Sequence, residues 1–254
     1  MCYTAIVLAG SRPGRDDLAE QFGTDLKALI PLAGEPMVRR PVQTLLDCEQ
    51  VAQVLVLSQH PDRIAAALPE DSRLSVSRSE SSIAETLLSL IESGKAEWPL
   101  LVTTADHALL DPAMVRQFCA DAEGAAVVIG VVERDVLLKR FPTAQRTWIK
   151  FRGGRYTGAN LFALRSPPSA DAIRLWSSIE QSRKKGWRVV SLLGPVALVG
   201  AALRLVSLDQ LLARVGRRLG LNIRAVRMAD PLAGIDVDKP SDHALVEKII
   251  AGEA

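Results

Sequence analysis

The stretch that most restricts what this chain can fold into is residues 5–27, AIVLAGSRPGRDDLAEQFGTDLK. The apolar run from Ala5 to Leu8, continued by Ala9, has the pattern of a buried strand. Gly10 breaks it into a loop carrying Ser11, Arg12, Pro13, Gly14 and Arg15. Glycines let backbone N–H groups turn toward an anion, and the arginines add fixed positive charge. Lys27 then arrives just before Ala28-Leu29-Ile30-Pro31-Leu32, placed to reach back to the same anion. A strand, a Gly/Arg loop and a following lysine describe a polyphosphate cradle at the carboxyl end of a first strand. Neither G-x-x-x-x-G-K-[ST] nor G-x-G-x-x-G is present. On these residues alone an ordinary strand-to-loop transition reads the same way.

A chain of 254 residues forms one large α/β domain, or a domain with an insertion. Aromatic residues make up only 4% while 48% of the chain is hydrophobic, so the core has to be aliphatic. A net charge of +2 argues neither for nor against nucleic acid, and no nucleic acid is expected as a partner. Cys2, Cys48 and Cys119 are scattered without CxxC spacing, which implies neither a disulfide framework nor a zinc site. Buried, inert thiols are expected for all three, in a reducing, cytoplasmic setting. No secretory signal pattern precedes the first strand.

Alternating apolar runs extend the α/β reading. Helices are expected over 38–46, with Pro41 in the first turn, 62–68, 83–91, 208–219 and 244–250. Strands are expected over 51–57, 75–77, 99–104, 125–132 and 222–226, with a hairpin of 148–152 and 156–164 turning through Gly153-Gly154. Ser79 or Ser81 suits the N-cap of the helix that starts at Ile83. Two places present carboxylates. Asp106 ends the strand PLLVTTAD, where α/β proteins put ligand groups, and a hard carboxylate there suits magnesium. Asp111, before Pro112, is the better cap of the next helix. Asp236 and Asp238 alternate on an extended segment and so share one face, from which they could complete a metal site begun by Asp106. Ser241 or Asp242 then serves the following helix as cap. His107 is expected on an exposed loop and is assigned no role.

Taken together, LAG with Arg12, Lys27 with Leu29-Ile30-Pro31-Leu32 and Gly34-Glu35-Pro36-Met37, TTADHALLDP around Asp106, TGANLFAL from Thr157, and DVDKPSDH from Asp236 resemble the nucleotidyltransferase superfamily. That group includes the molybdenum cofactor guanylyltransferases and the sugar-, polyol- and methylerythritol-phosphate nucleotidyltransferases. The chain departs from the usual pattern at Ser11, which stands where a second glycine is common, and at Ala108, which stands where a proline is common. The resemblance implies a single domain, 1–254, with a Rossmann-like three-layer α/β/α sandwich. Its sheet would be mixed and mostly parallel, as in the glycosyltransferase-A-like nucleotidyltransferase fold. It also implies roles. Leu8, Ala9, Gly10, Ser11, Arg12, Gly14 and Lys27 would hold a nucleoside triphosphate, with Arg12 and Lys27 catalytic. Ser82 would stand beside the base, although helix capping explains it equally well. Mg2+ would sit on Asp106 with Asp238, and Asp236 as second choice. Gly158 and Asn160 would approach the acceptor, and Lys150 would neutralise its phosphate.

Residues 165–229 depart from the resembled family. Twelve Lys/Arg face three acidic residues there, giving +9, while the rest of the chain carries nineteen basic and twenty-six acidic residues. Between Arg188 and Arg204 runs an uncharged, mostly apolar VVSLLGPVALVGAAL, too short to span a bilayer. A helical insertion packed on the core, a peripheral membrane contact at the inner face, and a homodimer contact all remain open for it. The expected reaction is Mg-dependent transfer of NMP from an NTP, CTP favoured, to a phosphorylated small alcohol, polyol or sugar, releasing pyrophosphate. The alternatives are a GTP-dependent guanylyltransferase of a pterin-like cofactor, a nucleotide-sugar glycosyltransferase, and an inactive nucleotide-binding protein on the same fold.

Overall fold

The computed structural model describes residues 2–11, 14, 16–80, 82–181 and 205–253. Their strands are β1 (Tyr3–Leu8), β2 (Pro31–Leu32), β3 (Glu35–Pro36), β4 (Val51–Ser58), β5 (Leu74–Arg78) and β6 (Leu100–Thr104), then β7 (Val127–Glu133), β8 (Ile149–Phe151), β9 (Gly154–Leu164) and β10 (Ile223–Arg227). The helices are α1 (Asp17–Gln21), α2 (Arg39–Leu46), α3 (Pro61–Ala65), α4 (Ile83–Glu92) and α5 (Pro112–Asp121), followed by α6 (Arg134–Arg140), α7 (Ala170–Gln181), α8 (Leu208–Leu219) and α9 (Pro240–Ile250).

The main sheet runs β10-β7-β9-β6-β1-β4-β5, with β8 added against β9. Strands β6, β1, β4 and β5 are parallel to one another, as are β10 and β7, and β9 runs antiparallel between β6 and β7. Strand β1 lies in the middle with β4 and β6 on either side, so both of its faces need apolar cover. Ala5 and Val7 pack into one core with α2, α5 and α9, while Ile6 packs into the other with α4, α7 and α8. Alternate side chains of one strand thus feed two cores, the physical content of a three-layer α/β/α sandwich with a mixed, mostly parallel sheet. The core is aliphatic, with Phe118 the largest fully buried side chain.

Several boundaries differ from the sequence expectation for local reasons. Helix α9 starts at Pro240, four residues early, because proline's fixed φ suits the first helical position. Asp242 rather than Ser241 serves its N-terminus, accepting from the backbone N–H of Lys239 at 3.1 Å. Ser82, not Ser79, caps α4, accepting from Glu85 N at 3.1 Å, and Ser81 lies outside the described residues. Helix α3 is shorter than 62–68. The hairpin turns through Arg152-Gly153, with φ +90° at Gly153. Cys48 and Cys119 are buried, and desolvation pushes their thiols up to about 11 and about 12. Cys2 is exposed, contrary to expectation, since it precedes β1, where its Sγ donates to the Glu49 carbonyl at 3.8 Å.

Of the basic segment 165–229, residues 182–204 lie outside the described residues, including the apolar run. Its flanks join the sandwich: α7 packs on α4 and α8 on β10. No described helix is long and apolar enough to cross a membrane.

Double-sided burial makes a sharp stability contrast. Ile6→Ala, fully buried, should cost about 2–5 kcal/mol, whereas Ile149→Ala, 58% exposed on the hairpin, should cost less than about 0.5 kcal/mol. Urea denaturation of the two variants beside the parent chain measures both.

Candidate active site

Strands β1, β4 and β6 end together at the carboxyl edge of the sheet. Ala9 N donates to Leu57 O at 2.9 Å, and Ala105 N donates to Leu8 O at 3.0 Å. The loop leaving β1 is held by Gln59, from the end of β4. Its Oε1 accepts from Ser11 N at 3.0 Å, and its Nε2 donates to Ser11 O at 3.2 Å. A Cβ on Gly10 would lie 2.9 Å from that Oε1, so a larger residue at 10 would push the end of the Gln59 side chain away from its present contact with the loop. Leu8 and Ala9 thus form the floor, and Ser11 is fixed by its backbone. Gly14 takes φ +118°, which a side chain would strain. Arg12 lies outside the described residues.

Lys27 opens a 3-10 turn, Lys27–Leu29, whose neighbours Leu26, Ala28 and Ile30 are buried. Its Nζ lies 2.6 Å from Asp106 Oδ2 and 2.5 Å from Asp238 Oδ1. Burial by itself would lower the ammonium's pKa, but Asp106 and Asp238 together outweigh it, and the net shift is upward. The lysine is therefore a fixed cation throughout the physiological range.

Asp106 is oriented by Thr104, whose Oγ1 donates to Oδ1 at 2.5 Å, and its backbone carbonyl accepts from Val237 N at 3.1 Å. That last bond seats the 236–238 segment against the end of β6. Asp238 N donates in turn to Asp242 Oδ2 at 3.2 Å, at the start of α9.

Asp236 takes a different partner. Arg146, its side chain only 8% exposed, places Nη1 2.5 Å from Asp236 Oδ1 and Nη2 3.4 Å from Asp242 Oδ1. Asn160 Nδ2 donates to Asp236 Oδ2 at 3.3 Å from a left-handed backbone, φ +47°, at the irregularity where β9 passes β7. Desolvation, then Asp238, push the Asp236 carboxyl up, and Arg146 pulls it back.

So Lys27, Asp106 and Asp238 converge, with Asp236 and Asn160 in the adjoining cluster. Ser82 is engaged as a helix cap. Gly158 is exposed on β9 opposite Val131, and Lys150 is exposed on β8, both on the part of the sheet where β9 runs past the end of β6. Gln59 and Arg146 were not foreseen. Gln59 had a weak signal, a polar residue just past a buried strand, whereas Arg146 sits in PTAQRTW with no pattern around it.

His107 is fully buried, not on an exposed loop. The turn after β6 tucks its ring under the strand end, with Nδ1 3.3 Å from Thr103 Oγ1 and Nε2 without a hydrogen-bond partner. Burial lowers its pKa from 6.5 to about 4.

Among the described residues no three His, Cys, Asp or Glu side chains form a metal site by themselves. Two carboxylates converging on one cationic nitrogen do suit a magnesium ion that takes its remaining oxygens from water and a polyphosphate.

Residues 5–213 match the family described as the MobA-like NTP transferase domain. The chain belongs to this family. It is a nucleotidyltransferase, and its fold agrees. A hypothetical transferase from Thermus thermophilus is 30% identical and superposes with a TM-score of 0.79, over 96% of this chain and 100% of that one. A 4-diphosphocytidyl-2C-methyl-D-erythritol synthase from Anaerococcus prevotii shares the fold at 8% identity and TM-score 0.60, over 98% and 96% of the two chains. A 2-C-methyl-D-erythritol 4-phosphate cytidylyltransferase from Thermus thermophilus does so at 15% and 0.54, over 99% and 100%. No curated protein matches the nucleotidyltransferase.

The buried histidine sets a pH signature. Below pH 6.5 the unfolded chain takes up a proton at position 107 that the folded chain refuses until about 4. Its contribution to stability is therefore complete above 6.5 and is lost as pH falls to about 4, roughly 3 kcal/mol in all. His107→Gln should flatten the stability profile across that window by up to this amount, read from urea denaturation at pH 7 and pH 4.

Proposed function

We propose that this nucleotidyltransferase moves NMP from CTP to a phosphorylated small alcohol, polyol or sugar and releases pyrophosphate. The observation that carries the transfer chemistry is the convergence of Lys27 on Asp106 and Asp238 beside the β1 loop. A fixed cation and two hard carboxylates at one sheet edge are what an in-line displacement at the α-phosphorus requires. The preference for CTP and a headgroup-like alcohol rests on the basic, apolar composition of 165–229 and on the cytidylyl chemistry named for two of the fold neighbours. The family description favours a second reading, GTP with a pterin-like acceptor.

In this mechanism the backbone N–H groups of Gly10 and Gly14 bind the triphosphate together with Lys27, and the charge of Arg12 is assigned to the same task. The acceptor phosphate is already ionised at neutral pH, so its oxygen attacks the α-phosphorus without a general base. The α–β bridging P–O bond breaks, and pyrophosphate leaves in line. Lys27 neutralises charge that grows on the α- and β-phosphates. Asp106 and Asp238 would hold Mg2+, whose chemistry there would be neutralisation of phosphate charge. Asp236, held by Arg146 and Asn160, supports the carboxylate segment from behind. Gly158, Asn160 and Lys150 frame the acceptor side, and Ser82 stays a helix cap that also borders the base.

Pyrophosphate release measured with CTP, GTP, UTP and ATP across phosphorylated alcohols and sugars should single out CTP with one acceptor. Release with GTP alone would establish the second reading. With the active pair in hand, Lys27→Ala should lower kcat by on the order of 100–1,000-fold while leaving the fold intact, and near-normal turnover would remove Lys27 from the mechanism.

A further inference from the structure

The Lys27 ammonium lies where the Asp106 and Asp238 carboxylates converge. The surroundings leave it little competition. Asp106 is fixed by Thr104 and by the Val237 N–H, so it does not swing aside. Asp236 is committed to Arg146 and Asn160, so it does not replace either partner. Leu26, Ala28 and Ile30 are buried around the turn that carries Lys27, which fixes its backbone and leaves only the four-carbon stem free to move. The opening to solvent is on the Asp238 side, 54% exposed against 19% for both Lys27 and Asp106.

We infer that Lys27 is a latch on its own metal site. An ammonium and a divalent cation cannot share one pair of carboxylates at hydrogen-bond distance, since like charges that close repel. While Lys27 bridges Asp106 and Asp238, a divalent cation is excluded. A triphosphate in the β1 loop offers the ammonium a stronger set of anionic oxygens and draws it off. The vacated carboxylates then accept the cation that the triphosphate brings. Nucleotide and metal thus bind with positive coupling, and the coupling is reciprocal. The pair Asp106 and Asp238 is never left as an uncompensated double negative charge. This rests on the nucleotidyl-transfer reading of the site, and adds an order to it: the nucleotide releases the latch and the metal follows.

The test is Mn2+ binding to nucleotide-free protein, followed by the loss of the free-ion electron paramagnetic resonance signal. The parent chain should bind weakly. Lys27→Met, which keeps the stem and removes the charge, should bind at least roughly tenfold more tightly. Adding Asp106→Asn to Lys27→Met should abolish the gain. Lys27→Gln carries the same comparison if the methionine variant does not fold. Binding by the neutral variants no tighter than by the parent chain would overturn the latch, as would a gain that survives Asp106→Asn. Pyrophosphate release by the parent chain separates the two questions. Turnover without a gain in the neutral variants overturns the latch alone. A gain in the neutral variants, when the parent chain releases no pyrophosphate from any of the four nucleotides, supports the latch and overturns the transfer reading.

Discussion

The charge of Lys27 organises the carboxyl edge of the sheet. Two aspartates drawn to one ammonium would otherwise repel each other across a partly dehydrated cleft, where Coulomb interactions are several times stronger than in water. Each partner comes from a different part of the chain: the segment after α1, the end of β6, and the strand-like run before α9. The ion cluster therefore joins the first third of the molecule to its last twenty residues. The Asp106 carbonyl bond to Val237 N repeats that junction in the backbone. On the outer side, Glu247 accepts from Ala33 N at 2.7 Å and His243 lies 2.8 Å from Pro31 O, so α9 also clasps the β2–β3 ribbon that follows Lys27. The charge cluster and the apolar packing of α9 reinforce one another.

Around this centre the protein separates two tasks that adjacent carboxylates could have shared. Asp238 faces solvent and the lysine, while Asp236, two residues earlier, faces inward to a nearly buried arginine. Alternation along an extended segment would put both on one face. The close approach of Arg146 and the left-handed backbone at Asn160 give Asp236 partners of its own, while desolvation, with Asp238 and Asp106 near enough to add to it, pushes its carboxyl pKa up. The result is one carboxylate paired with a lysine and open to solvent, and one paired with a nearly buried arginine, within a single short motif. A polar group buried without a partner is costly, and Arg146 is the response for Asp236.

The loop before Lys27 follows a similar economy. Gln59 satisfies both the N–H and the carbonyl of Ser11 from the neighbouring strand, so a loop lacking the second glycine common in related chains is still tied to the sheet. Gly10 leaves room for that close approach of the Gln59 amide, and its φ is not in the left-handed region.

Much of this was legible without coordinates. Unbroken apolar runs such as Ala5–Leu8 and Leu100–Val102 require a sheet covered on both faces, and alternating strands and helices lead to the layered α/β fold. Polar residues that follow those runs, Gly10, Lys27 and Asp106, mark the sheet edge where ligands bind, because side chains inside the sandwich have no water to face. What the sequence could not determine is which of these groups meet. Lys27 is separated from Asp106 by 79 positions and from Asp238 by 211. No local periodicity reports a contact over such distances. For the same reason Arg146 was invisible, His107 looked like an exposed loop residue, and the partners of Asp236 could not be read. Local patterning determined the strands, the helices and the edge that carries the chemistry. The tertiary structure alone decided the pairing of charges, because an ion pair depends on distance in space and on the water excluded around it.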